Sequence, residues 1–422
     1  MKKVIIFSLA AAAVLTACNN DEIPGASLAT KGFPMSDFQF SVETPLQTRS
    51  NAEGLIGADA SAVLNPWSND DRLRLFVTDY EQAKQGTFTK YEGAVALNRE
   101  LAYSSTLKGW GYSDGSDPVT LSNVKARLYA WSPSQTTAAS PYYNGDATLN
   151  PNACPIVFNT PNKVDFLYGT HRNTKDGTTN LPGDNIADDG GSSHVNGMPY
   201  DYVDNENTKV RIYMKHAQAY VQVNLLKEAV DPKEKYSGAG VVTAVEIMRL
   251  KRTVNAYNKP VLEPADDPKM PSKGTVNITE NASIRDNITV TDYSILTMTD
   301  FFTGGASFTL NPTVSSGTPT WTKGFSVVCP MEADEVRGFH IQVDGKDFYV
   351  DACQVNADGT PRDMEWKAGF KYIYNLILTG KGLNLVPDPE DPDGDGDVDG
   401  DGIADFVVVK PWNAGAEIDK DF

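Results

Sequence analysis

Carboxylates form the densest chemistry-bearing run in the chain. Asp393, Asp395, Asp397, Asp399 and Asp401 alternate with small residues, mostly Gly, and Asp405 follows. Such a row repels itself unless cations neutralise it. Hard oxygen ligands in a Gly-permitted turn suit Ca²⁺, which takes about 6–8 oxygens. Counting from Asp397, Asp399 falls third, Asp401 fifth, Gly402 sixth, the Ile403 carbonyl seventh and Asp405 ninth, the opening of an EF-hand-type loop. Val408 occupies the twelfth place, where a bidentate Glu would stand. That lowers the expected affinity and leaves earlier Asp residues to complete the shell. A solvated acidic linker is the plainer reading of any charge run; the alternation with Gly favours Ca²⁺. No other cofactor is expected.

Other groups carry less. His171 and His194 lie near Asp184, Asp188 and Asp189 in a long polar stretch, but no metal-ligand spacing recurs, so a solvated loop is the expectation. His216 ends an alternating run without an evident nucleophile or carboxylate partner, and reads as a core or strand-edge histidine. Acid–base chemistry needs two carboxylates held in a cleft, and no spacing points to such a pair. No Gly-rich phosphate loop or Gly-x-Ser-x-Gly elbow is present. The chain reads as a non-enzyme.

The N-terminus carries chemistry of another kind. Lys2 and Lys3 precede an apolar run over residues 4–14, which ends in Leu15-Thr16-Ala17-Cys18. A short positive region, an apolar core and small residues make a secretory signal, and the run is too short to cross a bilayer. Cysteine at that position resembles a bacterial lipobox, in which Cys18 is lipidated and becomes the new N-terminus. Downstream, Phe38-Gln39-Phe40-Ser41-Val42-Glu43 alternates apolar and polar residues, as a half-buried strand does. Phe38, Phe40 and Val42 are expected on one core-facing side. After Pro45, Arg49-Ser50 lies in a polar stretch where a trypsin-like protease can cut. A cut there detaches both lipid and strand from the body.

The elements around these sites read as strands. The 422 residues suit two or three domains, and Gly 34, Pro 25, Tyr 18 and Phe 17 favour strands and turns over helices. Lys+Arg 37 against Asp+Glu 55 gives a net charge of −18, which argues against nucleic acid as a partner. After Cys18 only Cys154, Cys329 and Cys353 remain. An odd number in an exported chain is no complete disulfide framework. Cys329 and Cys353 could pair across strands, but buried free thiols are expected. Strands are expected at 72–77, 101–103, 110–112, 124–131, 164–168, 241–250, 274–278, 307–310, 325–328 and 369–378. Residues 209–226 form the strongest run of all. Residues 339–343 and 348–350 flank Asp344-Gly345-Lys346, a hairpin signal. Short strands at this spacing imply β-sandwiches. The expected divisions are a signal peptide at 1–17, a propeptide with an exchangeable first strand at 18–49, sandwiches at 50–230 and 231–386, and an acidic linker with a C-terminal strand at 387–422.

Together these pieces resemble the fimbrillin (Mfa-like) family of type V pili. The matching stretches are the lipobox at Cys18, Phe38-Gln39-Phe40 with Thr48-Arg49, and Leu128-Tyr129-Ala130-Trp131-Ser132-Pro133. Further matches are Met214-Lys215-His216-Ala217-Gln218-Ala219, Val343-Asp344-Gly345-Lys346, Trp366-Lys367-Ala368-Gly369-Phe370-Lys371-Tyr372-Ile373-Tyr374 and Val409-Lys410-Pro411-Trp412. Each is loose alone; their order and spacing carry the resemblance, which spans nearly the whole chain. It implies an all-β fold of two transthyretin-like β-sandwich domains in tandem. It implies export as a lipoprotein, cleavage after an Arg, and polymerisation by donor-strand exchange. Asp21-Glu22 behind Cys18 resembles the export tag of surface lipoproteins in Bacteroidales-type bacteria, which implies a surface-exposed place on the outer membrane. The Asp-rich insert departs from the family pattern and also resembles thrombospondin type 3 repeats.

The expected role is therefore a structural subunit of a surface fimbria supporting adhesion. Its expected partners are neighbouring pilus subunits, the outer membrane through the Cys18 lipid before cleavage, and a host or bacterial surface ligand. The alternatives are a non-polymerising surface lipoprotein that binds a glycan or host ligand, and an anchor or tip subunit of the pilus.

Overall fold

The computed structural model describes residues 33–34, 38–42, 71–84, 91, 98–104, 106, 109–112, 119–134, 143, 149–158, 164–170, 202–204, 210–257, 260–279, 284–298, 306–355, 361–386 and 407–411. The described chain is nearly all β. In chain order it begins with β1 (Phe33–Pro34), β2 (Phe38–Val42) and β3 (Arg72–Asp79), then one short helix, α1 (Tyr80–Lys84). There follow β4 (Asn98–Ser104), β5 (Gly109–Tyr112), β6 (Thr120–Leu121), β7 (Ala126–Ser132), β8 (Cys154–Val157) and β9 (Leu167–Thr170). Then come β10 (Val210–His216), β11 (Ala219–Lys227), β12 (Val241–Val254), β13 (Pro260–Pro264), β14 (Met270–Val276) and β15 (Ile288–Ser294). Next are β16 (Leu296–Thr297), β17 (Phe308–Thr309), β18 (Thr322–Val328), β19 (Arg337–Val343) and β20 (Lys346–Asp351). The last are β21 (Gln354–Val355), β22 (Pro361–Arg362), β23 (Phe370–Thr379), β24 (Gly382–Leu385) and β25 (Val407–Pro411).

Alternation along these strands sorts the apolar residues into layers, because successive side chains point to opposite faces. A seven-stranded sheet has the order β2-β10-β9-β7-β3-β4-β5. One of its faces buries Leu73, Leu75, Val77, Leu128, Ala130, Ile212 and Met214. The other buries Phe76, Tyr129, Trp131, Phe166 and Tyr168 together with Cys154, Ile156, Val276 and Ile288 of the small β15-β14-β8 sheet. With both faces covered, β7 is buried along its whole length, Arg127 and Ser132 included. A separate core lies between the β18-β11-β23-β24 sheet and the β13-β12-β19-β20 sheet, filled by Val221, Val223, Ile247, Phe339, Ile341, Trp366, Tyr374 and Leu376.

The long run expected at 209–226 is two strands in two sheets. β10 pairs with β9, whereas β11 pairs with β18 and β23. The chain changes sheet at Ala217–Gln218, and one buried amide holds the step. Gln218 accepts the Phe166 N–H at 3.1 Å and donates to the Val157 carbonyl at 3.1 Å. Sheet membership changes at that step, and β8 pairs antiparallel with β14. The two-residue hairpin between β19 and β20 forms as expected, with Asp344 and Gly345 at φ of 50° and 74°. Cys154, Cys329 and Cys353 are free thiols in buried positions.

Candidate functional site

The N-terminal strand sits in a slot. β2 is the edge strand of the seven-stranded sheet and runs parallel to β10, with Phe38 opposite Val210, Phe40 opposite Ile212 and Val42 opposite Met214. Ile212 and Met214 are fully buried, so the β10 wall of this slot contributes directly to the core. Parallel pairing is slightly less stable per residue than antiparallel, and β2 pairs with β10 alone among the described residues. Residues 43–71 separate it from β3 in sequence. Loss of β2 leaves a row of N–H and C=O groups along β10 without partners, which is a template for another strand.

The second wall comes from the opposite edge of the same sheet. The sheet curls until Cα atoms of β2 and β5 come within 8 Å of each other. β5 brings Trp110, which is buried and meets Tyr103 edge to face with centroids 5.5 Å apart. Tyr112 follows it, its hydroxyl accepting the Val119 N–H at 3.2 Å. Burial pushes the Tyr112 phenol up to about 12, so it stays neutral. β1 pairs with β6, Phe33 opposite Leu121, and gives the N-terminal segment a second hold on the body.

One further device fixes the end of the sheet from which β10 starts. Val203 and Ala126 exchange backbone hydrogen bonds at 2.8 and 2.9 Å. Beside them, the Lys125 ammonium lies 3.8 Å from the Tyr202 ring centre, and Arg127 lies 5.1 Å from that of Tyr80. The two tyrosines meet edge to face at 5.4 Å. Alternating cations and aromatic faces attract through the ring quadrupole, so Tyr202 and Val203, shortly before β10, are pinned onto the start of β7.

Several residues singled out by sequence lie outside the described ones: Cys18, Arg49, Ser50, His171, His194 and Asp393 to Asp405. For Phe38, Phe40 and Val42 the backbone is described, and it forms the expected strand. His216 is buried, with its Nδ1 2.9 Å from Asp165. The C-terminal strand β25 lies antiparallel on β23 of its own chain, Tyr374 opposite Val407, and Val407 is fully buried there. Among the described residues no group of three or more His, Cys, Asp and Glu side chains is arranged to hold a metal ion. β5 is legible in the sequence as an aromatic strand, whereas its place beside β2 is not. That relation comes from sheet curvature, which leaves no mark on local periodicity.

No family model and no curated protein matches the chain. Solved structures similar to it include a candidate cell adhesion protein from Bacteroides ovatus, at 9% identity and a TM-score of 0.45, covering 91% of this chain and 99% of that one. The tip fimbrial protein Mfa3 from Porphyromonas gingivalis, with a C-terminal truncation, is similar at 8% identity and a TM-score of 0.32, covering 82% of this chain and 96% of that one. The fimbrial anchor protein Mfa2 from the same organism has 10% identity and a TM-score of 0.28, covering 81% of this chain and 88% of that one.

Proposed function

We propose that this chain is a structural subunit of a surface fimbria. It is exported as a lipoprotein on Cys18, cut between Arg49 and Ser50, and joined to neighbouring subunits by exchange of a strand for β2. The observation that carries this reading is the placement of β2: an edge strand with a single hydrogen-bonded neighbour, on the N-terminal side of Arg49. The motif series from Cys18 to Trp412 supports it independently. In strand exchange, main-chain hydrogen bonds supply affinity and alternate side-chain pockets supply register. A strand entering between β10 and β5 must offer apolar residues in register with Ile212 and Met214.

A second reading has its own support. β25 is seated on β23 of its own chain, and its Val407 helps fill that core. A subunit whose last strand stays home has no strand of that origin to lend. This arrangement favours an anchor, a tip subunit or a non-polymerising surface lipoprotein that binds a glycan or host ligand. Expression of Arg49→Ala in the native host separates the two readings. The polymerising subunit predicts that the variant stays membrane-bound and monomeric while wild type forms ladders. Ladders from the variant would contradict the exchange, and monomers from both would favour the second reading.

A further inference from the structure

Three strands meet at one imidazole on the outer face of the β13-β12-β19-β20 sheet. His340 of β19 stands in register between Glu246 of β12 and Tyr349 of β20. Its Nδ1 lies 2.8 Å from Glu246 Oε2, and its Nε2 lies 2.9 Å from Asp347 Oδ1. The ring stacks on Tyr349 with centroids 5.0 Å apart and planes 22° from parallel. Gln342 donates to the same Asp347 oxygen at 3.0 Å and accepts from the Thr243 hydroxyl at 2.7 Å. The His340 side chain is 14% exposed, so its surroundings are drier than those of either carboxylate, at 29% and 49%.

The donor inventory decides the charge state. An ionised carboxylate only accepts, and a neutral imidazole has one N–H to give. Two carboxylates at hydrogen-bond distance from the two ring nitrogens therefore require both to be protonated, which makes the ring an imidazolium. Loss of that proton turns one of the two contacts into acceptor facing acceptor.

We propose that His340 is a protonation-dependent latch that fastens the edge strand β20 across β19 to β12, closed while the imidazole is charged and open once it is neutral. β20 pairs with β19 alone among the described residues, so the Asp347 contact is a side-chain hold additional to that ladder. The turn of the hairpin, three residues before Asp347, has a fastening of its own. Asp344 Oδ2 accepts the Gly240 N–H and the Tyr236 hydroxyl, and Oδ1 accepts the Val241 N–H, each at 2.9 Å. At the far end of β20 the Arg252 Nε of β12 donates to Asp351 Oδ2 at 2.6 Å, so opening the latch releases the Asp347 stretch of β20 while the turn and the far end stay tied.

The titratable groups facing the imidazole are Glu246 from β12, and Asp347 and Tyr349 from β20; β16 places Thr297 opposite Glu246. Partial burial alone lowers the His340 pKa, but the hydrogen bonds to Glu246 and Asp347 outweigh it and hold the value above the usual one. Hydrogen bonds from His340 and Gln342 keep Asp347 below the usual carboxylate range, so it stays ionised. Burial and the two carboxylates raise the Tyr349 phenol, which stays neutral. A raised folded-state pKa gives stability that is complete below the unfolded value, about 6.5, and is lost as pH rises through the folded value.

Amide hydrogen exchange of residues 346–351, corrected for intrinsic rates, tests the latch in the full chain between about pH 5.5 and about pH 8.5. Wild type should lose protection on going to the higher pH, roughly tenfold for each unit by which the folded pKa is elevated. His340→Gln, which cannot titrate, should show no such step. Equal pH dependence in both proteins overturns the proposal. The His340 ring protons in wild type give a second reading that does not depend on the variant folding. A titration midpoint at or below about 6.5 overturns it, and a higher one that falls in Glu246→Gln and in Asp347→Asn supports it.

Discussion

Trp366 donates its indole N–H to the hydroxyl of Tyr374 at 2.8 Å, and both side chains are fully buried. The pair brings two large rings into the core without leaving the Trp donor unpaired. The Arg337 guanidinium lies 4.5 Å from the Trp366 ring centre and donates to the carbonyls of Glu332 and Glu335 at 2.7 Å, and to that of Met364. Tyr374 also stands opposite Val407, so the same residue borders the seat of the C-terminal strand.

Tyr374→Phe keeps the ring and removes the acceptor. The Trp366 N–H is then buried without a partner, which costs about 1–3 kcal/mol. Urea denaturation should show a lower midpoint with an unchanged slope, the signature of altered stability without altered compactness. An unchanged midpoint would contradict this role for the hydroxyl.

Phe40 is in register with the fully buried Ile212 in the pairing of β2 with β10. The alternation over residues 38–42 leads us to expect Phe40→Asp to destabilise the uncut precursor. The lost apolar burial is worth about 1.5–3 kcal/mol, and a charge brought toward the core adds to it. Once cut after Arg49, the bodies released from the two precursors have the same sequence and should melt alike. Thermal melting of precursors with and without the substitution reads this directly, and equal melting temperatures would place Phe40 elsewhere.

Much of the strand content was legible because these strands alternate or run apolar between turn residues, as at 72–79 and 337–343. The residues Asp344-Gly345 announced a tight hairpin because both adopt positive φ, which Asp and Gly tolerate. The break at Ala217–Gln218 was illegible. No Gly or Pro marks it, and the step is held by long-range hydrogen bonds in which Gln218 donates to the Val157 carbonyl and accepts the Phe166 N–H. β13 was missed because it is bounded by Pro260 and Pro264 and lies at a sheet edge, where proline is tolerated. β15 was missed because its exposed residues show little apolar pattern. Of the candidate site, β2 and β10 were visible as separate strands. Their parallel pairing joins residues far apart in sequence, and local periodicity carries no record of that.

The spacing of Asp393, Asp395, Asp397, Asp399, Asp401 and Asp405 leads to the expectation of Ca²⁺ binding just ahead of β25. Calorimetry of the purified body should show a heat of binding with Ca²⁺ that EDTA abolishes, and protease cutting near Gly400 should slow when the ion is present. An ion held there would stiffen the approach to β25 and so fix how that strand is presented. No heat, with identical cutting in both conditions, would leave a plain acidic linker.

The central claim is that proteolysis after Arg49 removes β2 and so makes the subunit competent to join others. The direct measurement is the N-terminal residue of chains recovered from surface polymers, compared with that of chains recovered as membrane-bound monomers. The account predicts Ser50 at the start of the polymerised chains and lipidated Cys18 at the start of the monomers. Polymerised chains that still begin at Cys18 would contradict it.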